Sequence, residues 1–285
     1  MTDIAPPAPP RLQRASGTVK LSFKNREART VLDDLFQQGC AKVRLPNVIP
    51  GHPPDAVLIN TSGGLTDGDV LETHIRWGAR THARIAGQAA ERIYQARSSA
   101  RAARISTHLH VEGGALAEWL PQETIFFEGG SLHRTTTIDL EDSGRLLACE
   151  AVVFGRTARG ETLTTGQIYE HWRVSVEGRL VWTDAWRIDP LSQEHLNKAA
   201  IAGGARALAT ILYVGEDSAA LIDAARAALE KTPCFSGATC MNSVFLVRLA
   251  AKDGAVLRTG LMRTIEGLQR VIPGCASGLP RVWTC

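Results

Sequence analysis

Val70-Leu71-Glu72-Thr73-His74-Ile75-Arg76-Trp77 decides the fold class. Its residues alternate, with Leu71, Ile75 and Trp77 on one face and Glu72, His74 and Arg76 on the other. A period of two is that of a β-strand with one face buried. The alternation recurs over residues 105–111, 174–176 and 180–188. Between these stretches stand Gly63-Gly64, Gly113-Gly114, Gly129-Gly130, Ser143-Gly144 and Glu177-Gly178, at close and regular intervals. Such turns suit hairpins, where a positive φ is needed and glycine adopts it without steric penalty. The fold class expected is mainly β: a large, mostly antiparallel β-sheet or β-helix-like body, with a few C-terminal helices packed at one end.

The pattern changes after Pro190. Ser192 is placed to cap a short helix running to Lys198. Asp217 or Ser218 opens a clearer one, with Leu221, Ala224, Ala225, Ala228 and Leu229 on one stripe and Pro233 ending it. Residues 243–250 then read as a strand. Asp253-Gly254 starts a helix with Leu257, Leu261, Ile265, Leu268 and Ile272 at helical spacing. These strand–helix units lack a Gly-rich phosphate loop, so a Rossmann arrangement is not expected. Residues 1–16 carry Pro6, Pro7, Pro9 and Pro10 and read as a flexible tail. Residues 17–285 read as one domain, β-rich over 17–190 and strand–helix over 191–285.

Composition narrows the function classes. A chain of 285 residues with 44% hydrophobic and 21% charged residues is of ordinary globular make-up. A formal net charge of +3 supplies no concentrated basic face, so no nucleic-acid partner is expected. The N-terminus has no basic stretch leading into an apolar one, and no long uninterrupted apolar run follows. The chain is therefore read as soluble and cytoplasmic, with no membrane association. Cys40, Cys149, Cys234, Cys240, Cys275 and Cys285 are scattered without C-x-x-C spacing and read as buried or incidental thiols.

A search for chemistry finds no G-x-S-x-G elbow, P-loop or H-E-x-x-H. Residues 60–64 read as a structural loop. His108 and His110 share a strand face, which is either half a metal site for a metal-dependent hydrolase or a solvated polar face. Carboxylates gather at turns: Asp67, Asp69 and Glu72, then Glu118, Glu123 and Glu128, then Glu150 and Glu161. Each alone reads as a solvated group or an arginine partner, while their recurrence at loop edges leaves room for a polar cavity. Trp119, Leu120 and Phe126 read as core in preference to partner surface. The residues alone thus describe a β-rich protein with no readable active site and a binding role.

Three segments add a resemblance. Residues 60–69, Asn-Thr-Ser-Gly-Gly-Leu-Thr-Asp-Gly-Asp, resemble the N-x-x-G-G-L-x-x-G-D signature of the urease accessory protein UreD (UreH) family. Residues 119–125, Trp-Leu-Pro-Gln-Glu-Thr-Ile, are similar to its W-L-P-Q-E-T-I block. Glu150 through Gly155-Arg156 to Gly160-Glu161 is similar to E-x-x-x-x-G-R-x-x-x-G-E, and Pro280-Arg281-Val282-Trp283 to the family's usual ending. Thr61-Ser62 departs from a frequent Pro-Pro pair, and Asp67 from a frequent Gly. The resemblance implies a non-catalytic urease maturation chaperone with no tightly bound cofactor. Its implied partners are UreF, UreG through UreF, and apo-urease, with nickel passing transiently. Asp67, Asp69, Glu123, Glu150 and Glu161 lie in or beside the blocks, where turns would bring them to a common polar interior. They are the candidates for a transient nickel path. A β-sheet scaffold with no metal role is the alternative to that path.

Overall fold

A computed structural model describes residues 13–97, 101–156 and 159–284. The chain builds two facing sheets by moving repeatedly from one to the other. Strands β1 (Ser16–Arg26) and β2 (Arg29–Gly39) form a hairpin in the first sheet. Strands β3 (Ala41–Arg44) and β4 (Asp55–Asn60) form one in the second. Alternation then begins. β5 (Val70–Trp77) lies in the first sheet and β6 (His82–Gly87) in the second, followed by the short β7 (Glu91–Ile93). β8 (Ala103–Val111) returns to the first sheet, and β9 (Leu116–Leu120) and β10 (Thr124–Phe126) to the second. β11 (Ser131–Leu140), β12 (Arg145–Phe154) and β13 (Gln167–Val176) continue the winding. β14 (Arg179–Ile188) closes the first sheet.

The remaining elements extend and cover the second sheet. After α1 (Gln193–Asn197) come β15 (Ala207–Val214), α2 (Ile222–Leu229), β16 (Phe235–Met241), β17 (Val244–Ala251) and α3 (Gly254–Gln269). The first sheet runs β14-β13-β11-β8-β5-β1-β2. The second runs β16-β17-β15-β12-β9-β6-β4-β3, with β10 beside β12 and β7 beside β10.

The mainly β class, the β-helix-like winding and the late helices match the reading of the sequence. Strand sense does not. The centre of each sheet, β1-β5-β8-β11-β13 and β4-β6-β9-β12, is parallel, and antiparallel pairs occupy the flanks. The reason lies in the turns. Gly113-Gly114 leads from β8 to β9 and Ser143-Gly144 from β11 to β12, so each changes sheet and makes no hairpin. Of these glycine-bearing turns, Glu177-Gly178, with φ of 50° and 71°, makes a two-residue hairpin, between β13 and β14. Turn composition and spacing are the same in both situations.

Packing follows from alternation. Ile75 and Trp77 of β5 face inward, joining Val19, Phe23, Leu109, Ile138, Trp119 and Trp172 between the sheets. Strand β12 is buried on both faces. Leu146 and Ala148 point between the sheets, while Leu147, Cys149 and Ala151 point outward beneath the helices. Helix α3 lays Leu257, Leu261, Ile265 and Leu268 on that outer face. The Asp253 carboxylate caps α3 by accepting from the Val256 N–H at 2.8 Å. Ser192 caps α1 as expected. Asp217 caps nothing: it accepts from the Tyr213 hydroxyl at 2.6 Å, and a 3₁₀ turn over Ser218–Leu221 leads into α2.

Residues 1–12 of the expected tail lie outside the described residues. Within the described residues Arg14 pairs with Asp67 at 2.8 Å, and Ser16 is already in β1. Trp119, at 5% exposure, and the fully buried Leu120 and Phe126 are core. Truncating Trp119 to Ala removes an aromatic from the inter-sheet layer and should lower the unfolding free energy by about 3–5 kcal/mol in urea denaturation.

Candidate functional site

Alternation along three strands brings five polar side chains together between the sheets. On β11, Arg134 and Thr136 share the inward face with Leu132 and Ile138; on β13, Glu170 and Trp172 share it with Ile168 and Val174. The parallel register sets Arg134 beside Glu170 and Thr136 beside Trp172. Glu150 of β12 faces them from the second sheet. Its carboxylate accepts from the Thr136 hydroxyl at 2.8 Å and from the Trp172 indole N–H at 3.2 Å. Arg134 Nε lies 3.1 Å from Glu150 Oε2, an ion-pair contact without hydrogen-bond alignment. The same guanidinium donates to Glu170 and, at 2.9 Å, to the Thr124 hydroxyl.

One buried cation therefore serves two buried carboxylates. Burial pushes the Glu170 carboxyl up to about 7; Arg134 opposes the shift, and the nearby Glu150 charge adds to it. Glu91, half-buried beside Asn60, is also raised, with desolvation the largest cause. Two cavities flank the cluster. The larger, about 790 Å³, lies between β13–β14 and β12–β15–β17 and is lined by Glu150, Glu170, Trp172, Asp184, His195, Thr210 and Arg248. A smaller one of about 130 Å³ is lined by Asn60, Glu91, Thr107, Trp119, Thr124, Arg134 and Glu150. Glu150 lines both.

The five carboxylates singled out in the sequence do not share this interior. Only Glu150 lies in it. Asp67 accepts from the Arg14 guanidinium and, at 3.0 Å, from the Arg97 N–H. Asp69 accepts from the Ala15 N–H at 2.7 Å and, with its other oxygen, from the Thr66 N–H at 2.8 Å. Both brace the loop after β4 against the start of β1. Glu123 pairs with Arg258 of α3 at 2.8 Å. Glu161 pairs with Arg156 at 2.8 Å and accepts from that residue's N–H, which holds its pKa below the ordinary carboxylate value. A carboxylate at a turn is used here by the backbone and the arginines close to it. Arg134 and Glu170 were missed by motif. Their signal was phase: each is a charge at an inward position of an alternating strand.

His108 and His110 share the outer face of the first sheet, as their spacing required. His108 stacks on His74, with ring centroids 4.7 Å apart. His110 lies 3.7 Å from Glu141, and with Glu112 these bring donor atoms within 4.8 Å of one another on open surface. The two histidines thus have different neighbours and do not converge on one carboxylate.

The geometry defines a two-sheet, helix-covered β protein with a charged centre between its sheets, flanked by two cavities. The sequence pattern described as UreD urease accessory protein matches residues 15–284. The chain is 38% identical over 274 residues to the urease accessory protein UreD of Azorhizobium caulinodans, covering 96% of this chain and 98% of that one. It is 40% identical over 274 residues to UreD 1 of Brucella abortus, covering 96% and 95%. Against UreD of Rhizobium etli it is 39% identical over 273 residues, covering 96% of each. The chain belongs to the UreD urease accessory protein family.

Two outcomes separate bracing from interior chemistry. Asp69→Asn keeps the shape but leaves an NH₂ group facing one of two backbone N–H donors, and should cost about 1–3 kcal/mol in thermal unfolding. Glu170 keeps its proton in the folded state at pH values where the unfolded chain, near 4.5, has released it. The folded protein then binds more protons than the unfolded one, so stability falls as pH rises from 4.5 to about 7 and levels off above. Glu170→Gln should be more stable than the parent above pH 7, with the gap closing toward pH 5, in urea titrations run across that range.

Proposed function

We propose that this chain is a urease maturation factor that acts as a scaffold, not as an enzyme. In this reading it binds UreF, joins the GTPase UreG through UreF, docks on apo-urease in the cytoplasm and helps nickel reach the urease active site. Family membership over nearly the whole chain supports the urease role. Among the described residues, no helix is long and apolar enough to cross a membrane.

Nickel is the cargo, and the observation that carries a route for it is the position of Glu150, which lines both cavities between the sheets. Glu170 and Asp184 continue the oxygen lining on one side, and Glu91 on the other. Ni²⁺ ranks high in affinity for nitrogen and sulfur donors, so a cage of imidazoles or thiolates would retain it. Carboxylates bind it weakly enough to release it, which suits an ion that must enter and leave. Asp67, Asp69, Glu123 and Glu161 serve as braces in this scheme, which narrows the path to Glu150 and its neighbours.

A urease-producing strain lacking this chain tests the role, and complementation tests the path. Deletion should leave urease synthesised but nickel-poor; normal nickel content would defeat the maturation role. Glu150→Gln retains the oxygen that accepts from Thr136 and leaves Arg134 paired with Glu170. Its NH₂ group turns toward the Trp172 N–H and Arg134 and should cost about 1–3 kcal/mol, so the variant should melt lower yet, while still folded, match the parent in UreF pull-down as its urease carries less nickel. Full nickel loading by a folded Glu150→Gln protein would remove the path and leave the scaffold.

A further inference from the structure

A second polar cluster lies on the opposite face of the second sheet, away from the charged centre. His82 and Arg84 of β6 and Glu118 of β9 point outward, beneath α3 and the segment that follows it. Glu118 is wholly buried. One of its oxygens contacts His82 Nε2 at 2.7 Å, and the other accepts from the Gln269 side chain of α3 at 2.7 Å. Cys275 brings its sulfur into the same space, so that one donor atom each from His82, Glu118 and Cys275 lies within 4.8 Å of the others.

We propose that His82, Glu118 and Cys275 form a binding site for a borderline-soft divalent metal ion of the zinc class. The site would clamp the segment after α3 onto the second sheet. It is separate from the nickel path and does not depend on it.

Chemistry and placement agree. One imidazole, one carboxylate and one thiolate are zinc-type donors, and three protein ligands leave a fourth position for water. Bond lengths of about 2.0–2.3 Å put tetrahedral ligands roughly 3–4 Å apart, close to the separation within which the three donor atoms already lie. Carboxylate and thiolate together neutralise a divalent ion, which suits a site built on the wholly buried Glu118.

The segment is also held in position. Arg145 donates to the Pro273 carbonyl at 2.6 Å, Arg84 to the Gly278 carbonyl at 2.7 Å, and the Gly278 N–H to Gln269 at 3.2 Å. The Arg84 charge is taken up by Asp55 at 2.6 Å. Gln269 thus both orients the carboxylate ligand and anchors the loop that carries the thiol, the usual task of a group behind a metal ligand.

Titration of Co²⁺ into the reduced, metal-free full chain tests the site. One ion per chain should bind, with a near-ultraviolet sulfur-to-cobalt band that Zn²⁺ abolishes and with a raised melting temperature. Cys275→Ser should lose the band. Gln269→Leu, which keeps all three ligands, should weaken binding about 10–100-fold. Absence of the band in the parent, or its persistence in folded Cys275→Ser, overturns the proposal and leaves a hydrogen-bonded network only. If Cys275→Ser does not fold, zinc-edge X-ray absorption of the parent decides. One sulfur among nitrogen and oxygen ligands supports the site; any other shell rejects it.

Discussion

Parallel strands cannot be joined by a tight turn, so a parallel sheet depends on what carries the chain back to its starting edge. In this protein the carrier is a strand of the opposite sheet. β6 returns the chain between β5 and β8, β9 between β8 and β11, and β12 between β11 and β13. Each circuit therefore adds one strand to both layers and fixes their separation and register together. Inward positions of one sheet must meet inward positions of the other, and Arg134, Glu150 and Glu170 are held together by that requirement. The outer faces carry no such demand. The second sheet is covered by α2 and α3, while the first bears His74, His108, His110 and His133 on its outer side.

Much of this was legible in the residues. The alternation over residues 70–77 gave strand β5 with its bounds and its buried face. Asp253-Gly254 and the spacing from Leu257 to Leu268 gave α3 and the side it buries. Strand sense was not legible, because a corner between sheets and a hairpin use the same glycine-rich turns. The site was only partly legible for a related reason. Turns attract carboxylates for local hydrogen bonding, so proximity to a turn picked out Asp67 and Asp69, which brace backbone. The interior ion cluster was written instead in strand phase, where a charge such as Glu170 sits in line with Ile168, Trp172 and Val174.

The segments resembling the family act here as joints. Residues 119–124 clasp the last described residues: the Trp283 indole N–H donates to the Leu120 carbonyl at 3.0 Å, and the Gln122 amide to the Val282 carbonyl at 2.7 Å. Arg258 completes the clasp, pairing with Glu123, donating to the Trp283 carbonyl at 2.6 Å and lying over the Trp283 ring. The segment at residues 60–69 fastens the start of β1. Gly64, at φ 145°, passes so close to Tyr94 and the Arg92 carbonyl that a Cβ would lie 2.4 and 2.9 Å from them. In the third segment, Arg156 rests on the Phe127 ring while Glu161 holds its guanidinium. Glu150, at the head of that segment, reaches the interior ion cluster, as Thr124 of the second segment does by accepting from Arg134.

The winding also sets the order in which the molecule can assemble. Val70 must find Arg104, and Ser131 must find Gln167, before a parallel ladder exists, and between each pair lies a strand that belongs elsewhere. Among the described residues no hairpin seeds the centre of either sheet; hairpins occur at the margins, β1 with β2, β3 with β4, β13 with β14 and β16 with β17. Chains dominated by such distant pairings close long loops before any contact rewards them, and fold slowly. Through that interval the unpaired edges of β5, β8 and β11 are open to other chains. The lifetime of the half-wound chain, more than the strength of the finished core, then governs how much of it reaches the native form.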